Sequence, residues 1–329
     1  MNNDSILKVE GLTIDLITES GKVRVIDNIS FRLRRGKTIG IIGESGSGKS
    51  ITCSAILGLL ERRKWSINGN VYFKNSKVIY GDKGNIQELR GNHIAVIRQN
   101  PMNSFNPLIT IREHFIETLK SHRNISRKEI SIMARTILME MKIQNVDNVL
   151  DSYSFQLSGG MLQRIMIALA VVLEPEILIA DEPTTALDLT VQYEILKILA
   201  RVQKKYGTAI ILVSHDLGVI SDLADDVVVM YSGNIIENAP INEIVHYPKH
   251  PYTKSLMESR PKFSKERLTV LEGVPPRLGE VEVGCKFYNR CNMKSEVCIE
   301  KQLCIIKVNE NHDVKCILYK EELYNCGNA

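Results

Sequence analysis

Three runs in this chain are short and continuously apolar: "TIGIIG" (38–43), "EILIAD" (176–181) and "AIILVS" (209–214). That pattern predicts strands buried on both faces of a parallel sheet. The first 35 residues alternate instead. In "ILKVEGLTIDLIT", and at Ile29, Phe31 and Leu33, apolar positions share one side with polar residues between them. Alternation of this kind predicts half-buried antiparallel strands. "INGNVYF" (67–73) contains Asn68-Gly69, which predicts a hairpin turn. Residues 110–150, with "TIREHFIETLKSHRN" and "SRKEISIMARTILMEMK", are polar, charged and helix-compatible, and predict a helical insertion into an α/β core. Beyond about Tyr252 the regular patterns fade. "RPKF", "GVPPRLGE" and a cysteine-rich run predict a separate tail.

Composition narrows the class. With 329 residues, 44% hydrophobic and 24% charged, the chain matches an ordinary globular protein with ample core. A net charge of +4, spread along the chain without a basic patch, argues against nucleic acid as a partner. The longest apolar stretch, Ile165–Leu173, is ended by Glu174 and Pro175 and is far too short to span a bilayer. "MNNDSILKVEGL" lacks a basic segment followed by an apolar one, so no secretory signal and a cytosolic, reducing setting are expected.

The chemistry begins at "GESGSGKS" (Gly43–Ser50), which fits G-x-x-x-x-G-K-[ST] between an apolar strand and the helix-compatible "ITCSAILGLL". Gly43, Gly46 and Gly48 let backbone N–H groups around Ser45 turn inward on phosphate oxygens, and the following helix, from Ser50 and Ile51, adds its positive end. Lys49 is expected to reach the β- and γ-phosphates and Ser50 to ligate Mg²⁺. A chance glycine-rich turn is the competing reading, and the strand–loop–helix context disfavours it. "ILIADEP" (177–183) ends a buried strand in Asp181, placed to hold Mg²⁺, and Glu182, placed to take a proton from an attacking water. Alone, that pair would read as a solvated strand end. "LVSHD" (212–216) puts His215 beyond another such strand, where ligands of parallel sheets sit; a lone histidine is otherwise more often structural.

"LSGGMLQR" (Leu157–Arg164) decides the class: it resembles the signature of ATP-binding cassette (ABC) ATPases. The phosphate loop, Gln99, this signature, "ILIADEP", "TTALD" (184–188) and "LVSHD" follow in the order of that family. "RQNPMNSFNPLITI" (98–111), "DEPTTALDLTVQ" (181–192) and "HPYTKSLMESRP" (250–261) resemble its oligopeptide/dipeptide/nickel importer branch. The resemblance implies an α/β P-loop nucleotide-binding domain over residues 1–252, with N-terminal antiparallel strands and a helical signature subdomain at about 105–170. A cysteine-rich tail over 253–329 follows. It implies ATP and Mg²⁺ as cofactors, with Ser50, Gln99 and Asp181 toward the metal. Glu182, His215 and Lys49 are its catalytic set. A second ATPase subunit, in this branch a different chain, would bind head to tail. Ser158, Gly159, Gly160 and Gln163 would then face the partner's nucleotide, and Asp188 would communicate between the sites. The chain would sit on the cytoplasmic face of the membrane through two transmembrane permease subunits, importing peptide, or alternatively nickel or a metal chelate, delivered by an external binding protein. A soluble, non-transport cassette protein is the rival from another class; a single phosphate loop and the absence of sustained heptads disfavour it.

Two departures from the family stand out. No Phe, Tyr or Trp precedes Phe31, so the usual aromatic platform for adenine is missing and aliphatic packing near Val23 or Val25 is expected instead. "SYSFQLSGG" carries Ser154 and Gln156 where the branch has Pro and Glu. In the tail, Cys285, Cys291, Cys298 and Cys316 resemble the four-cysteine set that holds a [4Fe–4S] cluster in some members of the branch. Their spacing is no compact C-x2-C pair, so the residues themselves leave the cluster, Zn²⁺ and free buried thiols open.

Overall fold

The computed structural model describes residues 4–78, 83–185, 187–258, 271–281, 283–300 and 303–322. The chain forms two compact units. One comprises Met1–Asp4, Leu33–Thr38 and Gly81–Val213, the other Ser5–Arg32, Ile39–Tyr80 and Ser214–Ala329.

In the first unit the apolar runs form the expected parallel ladder. Ile94–Ile97 pairs with Ile177–Asp181, from Ile94 opposite Ile177 to Ile97 opposite Ala180. Ile177–Asp181 pairs in turn with Ala209–Ser214, from Ile177 opposite Ala209 to Asp181 opposite Val213. Helices Ile111–Lys120, Arg127–Glu140, Val146–Leu150, Gly159–Val171 and Leu189–Tyr206 complete this unit. Their starts are written in the sequence. Thr110, Ser158 and Asp188 each accept a backbone N–H from the first turn, and Ser126 with Glu129 closes a reciprocal capping box. Phe115, Leu119, Leu138, Leu150 and Leu162 are fully buried; burying each such side chain is worth roughly 1.5–3 kcal/mol.

The second unit holds two sheets. The first orders its strands Gly21–Arg34, Ser5–Thr18, Trp65–Phe73 and Ser76–Val78. Ser5–Thr18 runs antiparallel to Trp65–Phe73, and Ile29, Phe31 and Leu33 are buried on the face that alternation predicted. The expected turn at Asn68-Gly69 is absent. Asn68 pairs with Thr13 inside a continuous strand, and the ladder shifts register between Glu10 and Thr13. A tight hairpin needs positive φ at both central residues; of this pair only Gly69 has it (φ 100°). Lys74 and Asn75, at φ 49° and 65°, make the turn instead.

The second sheet is mixed. Residues 39–42 run parallel to Asp226–Tyr231, with Ile39 opposite Asp226 and Ile42 opposite Val229. Asn234–Pro240 adds antiparallel to Asp226–Tyr231. The tail then contributes two antiparallel strands, His312–Val314 beside Asn234–Pro240 and Ile306–Asn309 beyond it. A fully buried carboxylate fastens this junction. Glu237 accepts from His312 Nε2 at 2.7 Å and from the Lys249 and His250 backbone N–H groups at 2.7 and 2.8 Å. Burial opposes its charge, but these bonds hold the carboxyl below the usual carboxylate range. Among the described residues no helix is long and apolar enough to cross a membrane.

Candidate functional site

The phosphate loop lies in the second unit. The fully buried strand Thr38–Ile42 leads into it and the helix Lys49–Ile56 leads out. Gly43 admits no side chain, because a Cβ there would lie 2.2 Å from the Met230 carbonyl. Lys49 is 5% exposed, and its ammonium curls back over the loop to the carbonyls of Gly43 (2.7 Å) and Glu44 (2.9 Å). Ser45, Gly46 and Ser50 lie at the surface. Ser47 Oγ is buried without a hydrogen-bond partner. Gly233 braces the loop from behind: its N–H donates to the Ser47 carbonyl, and its own carbonyl accepts from Asp27 N–H, both at 2.9 Å.

A clamp not anticipated from the sequence holds the loop's first turn. Glu44 forms a bidentate pair with Arg290, Nη1 to Oε2 at 2.8 Å and Nη2 to Oε1 at 2.9 Å. Arg290 also donates to Tyr231 Oη at 3.2 Å and to the Glu272 carbonyl at 3.0 Å. Glu44 N–H donates to Tyr252 Oη at 2.9 Å. Tyr231, Tyr252 and Phe287 pack as an aromatic triad, with centroids 4.7, 5.2 and 5.4 Å apart. Burial works against the Arg290 charge, but its bonds to Glu44 and Tyr231 outweigh that and keep the guanidinium ionised. Desolvation pushes the Tyr252 phenol well above its ordinary range, so it stays a neutral acceptor for Glu44 N–H. His215 follows strand Ala209–Ser214 and is exposed; the next residue, Asp216, caps helix Leu217–Leu223 through Gly218 N–H.

The carboxylate end lies in the first unit. Asp181 closes its strand, and Glu182 follows with φ 49°, a left-handed conformation for a non-glycine residue. Glu182 N–H donates to the Val213 carbonyl at 2.9 Å. Its Oε2 accepts from Gln99 Nε2 at 2.8 Å and from Thr185 Oγ at 2.9 Å. The structure thus brings together Gln99 and Glu182, two predicted residues 83 positions apart, and adds Thr185. Ser158 caps helix Gly159–Val171, with Oγ 3.4 Å from Met161 N, and Ser158 and Gly159 are exposed. Gln163 behaves otherwise: it is 1% exposed with Nε2 lacking a partner, facing into the unit rather than toward the exposed helix start. A residue five positions past an N-cap has turned to the buried side of its helix. Asp188 caps helix Leu189–Tyr206 through Val191 N–H at 3.0 Å.

The tail cysteines converge. Cys285, Cys291, Cys298 and Cys316 line one cavity, and the Cys285 N–H donates to the Cys298 carbonyl at 2.7 Å. Burial pushes the Cys285 thiol up to about 11 and raises Cys291 and Cys316 as well. Among the described residues no group of three or more His, Cys, Asp or Glu side chains is arranged to hold a metal ion. Of the two aliphatic residues expected near a base, Val25 is buried in its sheet and Val23 is half-exposed.

Comparison with known proteins places these features. Residues 26–185 match the family described as "ABC transporter", and residues 236–298 match "Oligopeptide/dipeptide transporter, C-terminal region". The oligopeptide transport ATP-binding protein AppD of Bacillus subtilis is 36% identical over 97% of this chain and 98% of its own length. The probable D,D-dipeptide transport ATP-binding protein DdpD of Escherichia coli is 38% identical over 89% of this chain and 90% of its own. Among solved structures, the post-hydrolysis dimer of the ATP-binding cassette MJ0796 bound to ADP and Pi superposes with a TM-score of 0.64 at 25% identity, covering 71% of this chain and 98% of that one. CbiO1 of Clostridium perfringens, part of the transporter complex cbiONQ, gives 0.61 at 29% identity over 73% and 90%.

Proposed function

This chain belongs to the ATP-binding subunits of the oligopeptide/dipeptide ABC transporters, and we propose that it hydrolyses ATP to power import of peptides through separate membrane subunits. One observation carries the reading: Gln99 and Thr185 jointly orient the Glu182 carboxylate at the end of a buried strand. A carboxylate steered by two donors keeps one direction for the proton it accepts from an attacking water. Lys49 and the loop N–H groups hold the phosphates and neutralise charge that builds there. His215 would donate to the γ-phosphate. Ser50, Gln99 and Asp181 offer the oxygen donors that Mg²⁺ takes; when bound, the ion neutralises charge on the phosphate oxygens.

In this reading residues 1–252 are the nucleotide-binding domain, with a helical subdomain at about 105–170, and 253–329 the tail. A second ATPase subunit of different sequence pairs head to tail. Ser158 accepts from Met161 with its oxygen and so retains its proton for the partner's γ-phosphate, beside Gly159 and Gly160. Two permease subunits hold the pair on the cytoplasmic face of the membrane, and an external protein delivers the peptide. In this reading the four tail thiols, which line one cavity, would hold a [4Fe–4S] cluster; their spacing by itself suits Zn²⁺ as well. About four irons and four sulfides per chain in anaerobically purified protein would support the cluster, and one zinc without colour would overturn it.

Reconstitution in liposomes with the permeases and the partner ATPase tests the function. Peptide-loaded binding protein should raise ATP turnover, and Glu182→Gln should lower it by about 10²–10³-fold. Stimulation by a nickel chelate but by no peptide would overturn the peptide assignment.

A further inference from the structure

A cavity of about 250 Å³ opens beside the phosphate loop in the second unit. One wall is the loop itself, at Ser45, Gly46 and Ser47. Another is Arg24. The third is the tail, through Pro275, Pro276 and Leu278. A nucleotide whose phosphates lie in the loop must place its ribose and base in space continuous with it, and this cavity is continuous with it.

The cavity's walls suit a flat, amphipathic ring. The Arg24 guanidinium is pinned in plane by Asp15 and, at 2.9 Å, by Asp27. A planar cation held in place is a ready stacking surface for an aromatic ring. Among the other lining residues, Pro275 and Pro276 give a rigid apolar surface with little entropy left to lose on binding.

The tail is built into this position rather than lying on it. Arg290 anchors it to Glu44 of the loop and, within the tail, holds the Glu272 carbonyl. Lys286 donates to the Ser232 carbonyl at 2.9 Å. At Gly279 (φ 81°) the tail is in van der Waals reach of Val23, where an added Cβ would lie 3.4 Å from Cγ1.

Resting on the ATP-binding reading above, we propose that the segment Pro275–Gly279 is a wall of the nucleotide site. It covers the base in cis, with Arg24 as the stacking partner in place of the missing N-terminal aromatic. The C-terminal tail is thereby part of the catalytic subunit's ligand site.

Calorimetric binding of Mg·ATP and of inorganic tripolyphosphate to the full-length protein separates base from phosphate recognition. Leu278 is 54% exposed, so Leu278→Ser leaves the core intact. Leu278→Ser and Arg24→Ala should each weaken ATP about tenfold, the scale of losing one base-stacking contact, and leave tripolyphosphate within about twofold. Arg24→Lys keeps the charge without the plane and should remain weak. ATP affinity unchanged in both Leu278→Ser and Arg24→Ala, equal weakening of ATP and tripolyphosphate, or full rescue by lysine would each overturn the proposal. A wild-type protein that binds tripolyphosphate and ATP equally would overturn it too. A wild-type protein that binds neither would instead sink the ATP-binding reading itself, and the proposal with it.

Discussion

Arg290→Ala puts the clamp on the phosphate loop to a quantitative test. The substitution deletes two charged bonds to Glu44 and single bonds to Tyr231 and to the Glu272 carbonyl. Breaking a buried ion pair from one side costs about 3–5 kcal/mol, chiefly because the partner charge stays behind unpaired. Here the two partners differ. The Glu44 side chain is 27% exposed and regains water, whereas that of Arg290 is 5% exposed and cannot. Arg290→Ala should therefore fall at the low end, about 3 kcal/mol, and Glu44→Ala nearer 4 kcal/mol. The double variant should cost less than their sum, with a coupling energy of about 2 kcal/mol. Arg290→Lys restores charge but not the fork, and should recover less than half. The single tryptophan, Trp65, lies in a strand of the same unit, so urea unfolding followed by its fluorescence reports on the unit that contains the clamp. Additivity within about 0.5 kcal/mol would show that the two side chains are neighbours without energetic coupling, and the clamp would be refuted.

Three further outcomes are expected. Glu182→Gln should lower phosphate release by about 10²–10³-fold while ATP still binds; retained turnover would remove Glu182 from the chemistry. Gly233→Ala places a Cβ 1.9 Å from the Val25 carbonyl at φ 80° and should cost at least about 2 kcal/mol in thermal unfolding; a neutral effect would contradict the packing described. His250 is buried, and desolvation pushes its imidazole down to about 4. The unfolded chain binds that proton near 6.5. Stability from this residue is thus complete above pH 6.5 and declines as pH falls toward 4, by about 3 kcal/mol. Glu237, also held low, adds its own loss in acid. The difference between wild type and His250→Asn should slope across that window, and a flat difference would be inconsistent with a neutral buried imidazole accepting from Tyr252 N–H.

Legibility in the sequence followed locality. The buried strands could be read because each is a continuous apolar run, and the phosphate loop because all its parts lie within eight residues. The Gln99–Glu182 bond spans 83 residues and was reachable only through the order of family motifs. The Arg290–Glu44 clamp had no signal at all: an arginine beside a cysteine carries no mark of a partner in a glycine-rich loop. Asn68-Gly69 misled because a turn dipeptide inside a strand can equally serve a register shift. The tail strands Ile306–Asn309 and His312–Val314 are four and three residues long, too short to display alternation.

Synthesis runs from the N-terminus, so the clamp also sets an order of events. Glu44 and Arg290 are 246 residues apart. At about 5–20 residues per second, the phosphate loop leaves the ribosome roughly 10–50 s before the arginine that grips it exists. Throughout that interval the Glu44 carboxylate has no Arg290 to pair with. The loop reaches its final bonding only when the last part of the message has been read. A message cut short of codon 290 would encode every residue from Gly43 to Ser50 and none of the clamp's cationic half.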